Sequence, residues 1–302
     1  MACSGGADSV ALAAAVAFEA PKVGLRAGAV TVDHGLHEAS ARIASDVEQT
    51  CRELGLDPVV GTRVVVTRVA VGRAGGPEAA ARTARYDALE RVADEHDAVA
   101  VLLAHTLDDQ AETVLLGLAR GSGTRSLAGM AVVRGRLRRP LLGLGRAIVR
   151  AACPAPAWED PANTDRSFTR VRVRHDVLPL LEQQLGPGIA AALARTARAA
   201  RDDADALDAL AAATDPFRPV GTGVEAPVDA LLVGAAALRR RQLRRAALTV
   251  GCSASALGAV HVDALDALLL AWRGQGAVHL PGGASARRTC GRLVFTPGPP
   301  PR

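Results

Sequence analysis

Apolar and polar positions alternate along the first half of the chain in blocks rather than residue by residue. An alanine- and leucine-rich run from Val10 to about Glu19 predicts a helix, and the apolar stretch from Ala27 to Val32 predicts a buried strand that delivers Asp33, His34 and Gly35 at its end. The pattern recurs as a helix over 41–54, a strand over 59–69, a glycine-rich break at Gly72–Gly76 and a helix from Pro77 to Glu95. An apolar strand from Ala98 to Ala104 follows, ending in His105-Thr106-Leu107-Asp108-Asp109 and leading into another helix. Continuously apolar strands alternating with helices predict an α/β fold, a parallel sheet sandwiched by helices, with ligands gathering beyond the carboxyl ends of the strands. The alternation weakens after Arg139-Pro140, and Cys153-Pro154-Ala155-Pro156 reads as a turn or linker. From Gly186-Pro187-Gly188 onward the pattern is mainly helical and closes on a hairpin with arms Ala277–Leu280 and Arg292–Thr296. The expected division is a catalytic domain over 1–185, a smaller mainly helical substrate-binding domain over 186–296 and a proline-rich disordered tail over 297–302.

A chain of 302 residues has room for two such cores. Its single lysine, Lys22, excludes a phosphate loop of the GxxxxGK[ST] type, so any ATP site must use another loop. The net charge of +5 is carried almost wholly by arginine, whose guanidinium suits phosphate ligands, although an arginine-rich composition also follows from a GC-rich genome. Five scattered cysteines without a CxxC pair indicate neither a disulfide framework nor a zinc or iron-sulfur site. No secretory leader and no run of roughly 18 apolar residues is found, so the expected location is the cytoplasm, away from membranes.

Three clusters could carry chemistry. In Cys3-Ser4-Gly5-Gly6-Ala7-Asp8-Ser9, the glycines permit a tight turn with inward amides and the serines add hydroxyls just before a helix N-terminus, which together form a phosphate cradle. Asp8 could hold Mg²⁺ there, yet glycine-serine turns also cap helices that bind nothing. Asp33 with His34, Gly35 and Leu36 could stand beside a nucleotide or be a plain strand-to-loop transition. On a continuous helix His105, Asp109 and Glu112 would share a face and Asp108 would pair with Glu112, so the three carboxylates would receive Mg²⁺ or an ammonium group, or else complement the helix dipole. Arg82 and Arg85 at i, i+3, the loop Arg120–Arg125 and the run Arg239–Arg245 are candidate phosphate contacts that equally fit a solvated surface.

The segments Ser4–Ser9, Val32–Leu36, Ala81–Tyr86 and Ala104–Thr113, in this order and spacing, resemble the N-type ATP pyrophosphatases of the PP-loop superfamily, and within them the tRNA(Ile)-lysidine synthases. The likeness continues through Arg120–Met130 and Trp158–Asp165 and covers roughly the first 180 residues. It implies an adenine nucleotide α-hydrolase-like fold. It also implies an ATP-dependent ligase that adenylylates the wobble cytidine of a CAU-anticodon isoleucine tRNA and then joins free L-lysine to C2, releasing pyrophosphate and AMP. By the same resemblance Ser4, Gly5, Gly6, Asp8 and Ser9 would bind ATP and Mg²⁺, and Asp109 and Glu112 would seat the lysine. Arg85 would stand near the reacting phosphate and base, and Asp33, His105 and Asp108 would complete the pocket. Arg120, Arg125, Arg166, Arg170, Arg172, Arg174, Arg239, Arg240 and Arg244 would be available to tRNA, and a homodimer is compatible with the family. Two departures stand out: the chain opens at Met1-Ala2-Cys3 with little of a first strand, and Val171 occupies a position where the family carries asparagine. The alternatives are another PP-loop enzyme, such as a thiolase, amidotransferase-type synthetase or NAD synthetase, and a catalytically impaired tRNA-binding protein.

Overall fold

The computed structural model describes residues 1–33, 40–63, 77–121 and 123–299, in two compact units, Met1–Ala200 and Arg201–Arg302. The second half of the strand expected over 59–69, the glycine break and His34–Leu36 lie outside the described residues.

The first unit opens with α1 (Ala7–Glu19), β1 (Ala29–Asp33), α2 (Ser40–Glu53), β2 (Val59–Arg63), α3 (Pro77–Glu95) and β3 (Val101–Leu102). It continues through α4 (Leu107–Ala119), α5 (Gly123–Leu127), β4 (Val133–Arg134), β5 (Leu137–Arg138) and α6 (Arg146–Ala151). Then come α7 (Thr169–Arg172), a π-helical turn Val173–Val177, α8 (Leu178–Leu185) and α9 (Ile189–Ala213), within which the boundary between the units falls. β1 pairs in parallel with β2, and β3 in parallel with β5, whose other edge carries the antiparallel β4. The two ladders are joined by the first three residues of the chain. Val30 donates to the Met1 carbonyl, Cys3 donates to that of Val30, and on the other side Ala2 donates to that of Leu102. So the short stretch before the glycine loop does hold the place between β1 and β3, in parallel register with Val30.

Successive strand residues face opposite ways, and this sheet buries both faces. Ala29 packs with Val10 and Ala13 of α1 and Val47 and Cys51 of α2, whereas Val30 packs with Leu89, Val92 and Ala93 of α3. Alanine at these contacts lets the helices approach closely. The connection after α1 is set by Pro21, which cannot continue the hydrogen-bond ladder, and by Gly24 at φ +71°.

The second unit consists of β6 (Arg218–Val220), β7 (Gly223–Pro227), α10 (Val228–Val233), α11 (Ala236–Thr249), α12 (Ala259–Leu270), β8 (Val278–His279), β9 (Ser285–Thr289) and β10 (Arg292–Thr296). Its antiparallel sheet runs β6-β7-β10-β9-β8. The expected hairpin is therefore corrected. Its two arms both pair with β9 and not with each other, because Ser285–Thr289 alternates Ala286 inward with Arg287 outward and forms a strand of its own. Phe295, Leu293, Leu243, Leu265 and Leu268 fill the core, with Phe217 set edge-on to Phe295 at 5.4 Å.

The arginine run of α11 is also corrected. Arg239 is buried and ion-pairs with buried Asp266 at 2.6 Å, Arg240 pairs with Asp263, and Arg244 donates to the carbonyls of Leu257 and Ala254. Arg241 and Arg245 pair with Asp208 and Asp215. These guanidiniums fasten α11 to its own unit, since a basic helix packed on four carboxylates is satisfied locally. Removing one partner of a buried pair strands the other charge. Arg239→Met should therefore cost about 3–5 kcal/mol in urea unfolding of the full chain, and the double change with Asp266→Leu should recover most of it. A double variant that loses as much as the two single changes added together would show that the pair does not couple.

Candidate active site

The carboxyl end of β1, the loop Cys3–Gly6 and the start of α4 converge in the first unit. Gly6 caps α1 in an extended conformation, and Gly5 at φ +82° turns the chain into it. A Cβ at Gly5 would lie 2.5 Å from Val47 Cγ2, so both backbone and packing require glycine there. Ser9 Oγ receives the Ser4 amide at 3.2 Å and donates to the Gly6 carbonyl at 2.8 Å, which fixes the loop from inside. Trp158 donates its amide to the Gly5 carbonyl at 3.0 Å and closes the loop's outer side. Asp8 lies in the first turn of α1, and its Oδ1 is buried without a hydrogen-bond partner among the described residues. Burial raises its pKa above the usual carboxylate value, against the pull of Arg146.

α4 begins at Leu107, two residues later than a helix containing His105 would. Thr106 is its N-cap and Asp109 closes a capping box, each side chain bonding the other's backbone. His105 thus belongs to the connection after β3, and the helical face shared by His105, Asp109 and Glu112 is corrected to Asp109 and Glu112 alone. Asp108 does not pair with Glu112 either. It turns away to accept the Arg146 amide at 2.7 Å, at the first turn of α6.

Asp109 and Glu112 are buried, Glu112 with no exposed surface, and three guanidiniums meet them. Arg146 donates to Asp109 at 2.8 Å and Glu112 at 3.2 Å. Arg170 reaches Glu112 at 2.7 Å and Asp109 at 3.2 Å, and Arg174 reaches the same two at 2.7 Å and 3.1 Å. Positions 170 and 174 stand one turn apart on the stretch where α7 runs into the π-turn, and buried Val173 between them packs with Ala111 of α4. Burial raises the pKa of Asp109, but Arg146, Arg170 and the Thr106 amide outweigh it and hold the group below its ordinary value. Glu112 is likewise lowered: burial opposes, and the Arg174 hydrogen bond and the Arg170 charge prevail. Both are ionised, and the cation that the carboxylates were expected to receive is, in the structure, arginine.

The expected contacts of Arg170 and Arg174 with RNA are corrected accordingly, since both point into this cluster. Arg166 pairs with Asp176, and exposed Arg172 donates to the Arg166 and Ser167 carbonyls at 2.7 and 2.8 Å. Arg120 caps the C-terminus of α4 and Arg125 lies on α5, both exposed. Arg85 lies on α3, where partial burial, with Arg82 beside it, lowers its pKa and Asp160 opposes the shift. Buried Asp33 ends β1, in register with Arg63. Sequence reasoning missed Arg146 altogether. The available signal was an arginine at the first helical position after the glycine cap Gly145.

Comparison with known proteins decides the family. Residues 1–181 match the model of the PP-loop domain, and residues 227–294 that of the TilS substrate binding domain. The tRNA(Ile)-lysidine synthase of Streptomyces coelicolor is 56% identical over 306 residues, spanning 99% of this chain and 85% of that protein. The one from Thermobifida fusca is 58% identical over 300 residues, 98% of this chain and 90% of its own length. The chain belongs to the tRNA(Ile)-lysidine synthase family. Members are PP-loop ligases that use ATP to modify tRNA, and the first unit here carries that domain. The relative from Mycobacterium tuberculosis is 50% identical over 280 residues, 91% of this chain and 82% of the relative. A solved U34-tRNA thiolase, NcsA from Methanococcus maripaludis, superposes with a TM-score of 0.52 at 20% identity, covering 65% of this chain and 70% of that one, which establishes the shared fold.

In this lysidine synthase relative His105 stands out electrostatically. Its Nδ1 is buried and unpartnered among the described residues, and burial pushes its pKa down to about 4, with Asp109 opposing and Arg139 and Arg170 assisting. Between pH 6.5 and 4 the unfolded chain takes up a proton that the folded chain refuses. Stability therefore falls as pH drops through that window and is unaffected by this group above it. His105→Gln should flatten the acid side of a plot of unfolding free energy against pH. An unchanged slope would contradict the assignment.

Proposed function

We propose that this chain joins free L-lysine to C2 of the wobble cytidine, position 34, of a CAU-anticodon tRNA(Ile), converting ATP to AMP and pyrophosphate. The observation that carries the reading is the adjacency of two half-sites: a glycine-serine loop at a helix N-terminus, and a buried anionic pair, Asp109 and Glu112, tied to it through Arg146. In the first step the cytidine O2 attacks the α-phosphorus of ATP, forming an O–P bond as the bond to pyrophosphate breaks. Backbone amides of Ser4, Gly5 and Gly6, with the positive end of α1, stabilise the departing anion. The orphaned Asp8 Oδ1 suits one inner ligand to Mg²⁺, an ion that takes few protein ligands and completes its shell with water and phosphate. Bound there, Mg²⁺ would offset phosphate charge.

In the second step the lysine ammonium gives up a proton to solvent, its ε-nitrogen forms a bond to C2, and the C2–O2 bond breaks as AMP leaves with O2. Asp109 and Glu112, ionised and rigidly held, offer the charge complement of the lysine ammonium, and neutral His105 presents a ring nitrogen open to a hydrogen bond at the same end of β3. Arg85 is assigned to the reacting phosphate and base. Arg120, Arg125 and Arg172 are exposed arginines that RNA phosphates could meet, in a protein whose described helices include none long and apolar enough to cross a membrane. A homodimer and a catalytic domain ending near residue 185 complete the proposal. The alternative of an impaired tRNA-binding protein loses its motivation once the arginines of α11 are seen to be paired within their own unit.

Purified protein given ATP, Mg²⁺, radiolabelled lysine and a CAU-anticodon isoleucine tRNA should transfer label to the RNA. Asp109→Asn should lower lysine transfer about 100-fold, as expected for a lost buried charge contact, while tRNA-dependent pyrophosphate exchange without lysine persists. Adenylylation lost in parallel with transfer would remove Asp109 from the lysine half-site, and absent transfer by the unaltered chain would overturn the reading itself.

A further inference from the structure

The carboxylate oxygens of Asp109 and Glu112 are already fully engaged. Asp109 Oδ2 accepts from the Thr106 amide and hydroxyl at 2.8 and 3.0 Å, and Oδ1 accepts from all three arginines. Glu112 Oε1 accepts from Arg146 and Arg174, and Oε2 from Arg170 and Arg174. Each oxygen thus has two or three donors, about the limit of its lone pairs. An ammonium group can enter this pair only by displacing a guanidinium.

The three arginines are not equally placed to yield. Arg174 uses two nitrogens and makes three hydrogen bonds, among them one to Glu112 at 2.7 Å, and Arg170 uses two nitrogens and makes one of the same length. Arg146 touches both carboxylates through a single nitrogen, at 2.8 and 3.2 Å. Its Nε lies 3.7 Å from Asp8 Oδ2 on the nucleotide loop, a contact neither other arginine makes among the described residues. Its backbone is pinned by the Asp108 carboxylate, so the side chain can swing while its root stays fixed. Resting on the proposed lysine ligation, we infer that Arg146 is a positioning residue that holds the lysine site closed and yields to the lysine ammonium by moving toward Asp8 and the phosphates of ATP.

The exchange keeps the charge balance of the buried pair, because one cation leaves as another arrives. It also links the two substrates. Phosphate in the Ser4–Ser9 loop adds anionic attraction on the Asp8 side, draws Arg146 away from Asp109 and Glu112, and opens the place for lysine. Linkage then requires that each substrate favour the other to the same degree.

Calorimetric titration of L-lysine into the full chain, with and without a non-hydrolysable ATP analogue and Mg²⁺, tests the inference. In the unaltered protein the analogue should tighten lysine binding about tenfold, within the usual range for coupled sites. Arg146→Ala should bind lysine about as tightly without the analogue as the unaltered protein does with it, and the analogue should add little. Arg146→Lys, which keeps a cation in reach, should restore part of the response, and Arg91→Ala on the outer face of α3 should behave as the unaltered chain. Circular dichroism melts identify any variant that fails to fold, in which case Arg146→Gln takes its place. Lysine affinity and nucleotide response both unchanged in the Arg146 variants would overturn the role of Arg146, provided that the unaltered chain transfers lysine to tRNA in parallel. Absent transfer there would instead remove the ligation reading, and the inference with it.

Discussion

Two buried carboxylates at the start of α4 set the terms for the rest of the first unit. An ionised group as enclosed as Glu112 costs several kcal/mol unless its charge is matched and its lone pairs are filled. The match comes from three arginines on segments 34 to 65 residues away in sequence: one at the start of α6, one on α7 and one on the π-turn after it. Meeting that demand brings α6 and the α7–α8 segment onto α4, and it binds the glycine loop as well, since Arg146 reaches Asp8. The same cluster therefore acts as a fastening of the fold and as the floor of the site. Arginine suits the task because its charge persists on burial and its planar fork reaches two acceptors at once.

The sheet explains why the cluster can face a nucleotide. Parallel strands covered on both faces leave only their carboxyl ends for polar groups, so the loop before α1, Asp33 at the end of β1 and His105 after β3 gather at one edge. The dry apolar layers behind that edge keep His105 neutral, and the arginines beside it keep Asp109 and Glu112 charged. The glycine loop at a helix N-terminus and the buried anionic pair thus lie side by side, joined by Arg146.

Much of this was legible along the chain. The helix expected from Pro77 to Glu95 has those bounds, and the alternation of apolar strands with helices gave the layered α/β arrangement, because burial on both faces leaves a continuous apolar run. Misreadings arose where a partner lies far off in sequence or where a cap competes with periodicity. His105 was placed on the helix by its spacing, whereas Thr106 with Asp109 three residues on is a start signal that puts it outside. Arg239, Arg240 and Arg244 looked available because charge alone does not name its partner, and Asp263 and Asp266 stand a helix away. Arg146 was invisible for the same reason, its carboxylates being 34 to 38 residues upstream. Met1–Cys3 seemed too short to be a strand, yet three hydrogen bonds to its neighbours suffice to join the two ladders.

The account depends on the buried carboxylates and the arginines acting as a coupled unit. A double-mutant cycle between Glu112→Gln and Arg174→Met, read from denaturant unfolding of the full chain, measures that directly. Coupling of about 2 kcal/mol or more is expected, with each single change costing nearly as much as both together. Costs that simply add, with coupling near zero, would contradict it.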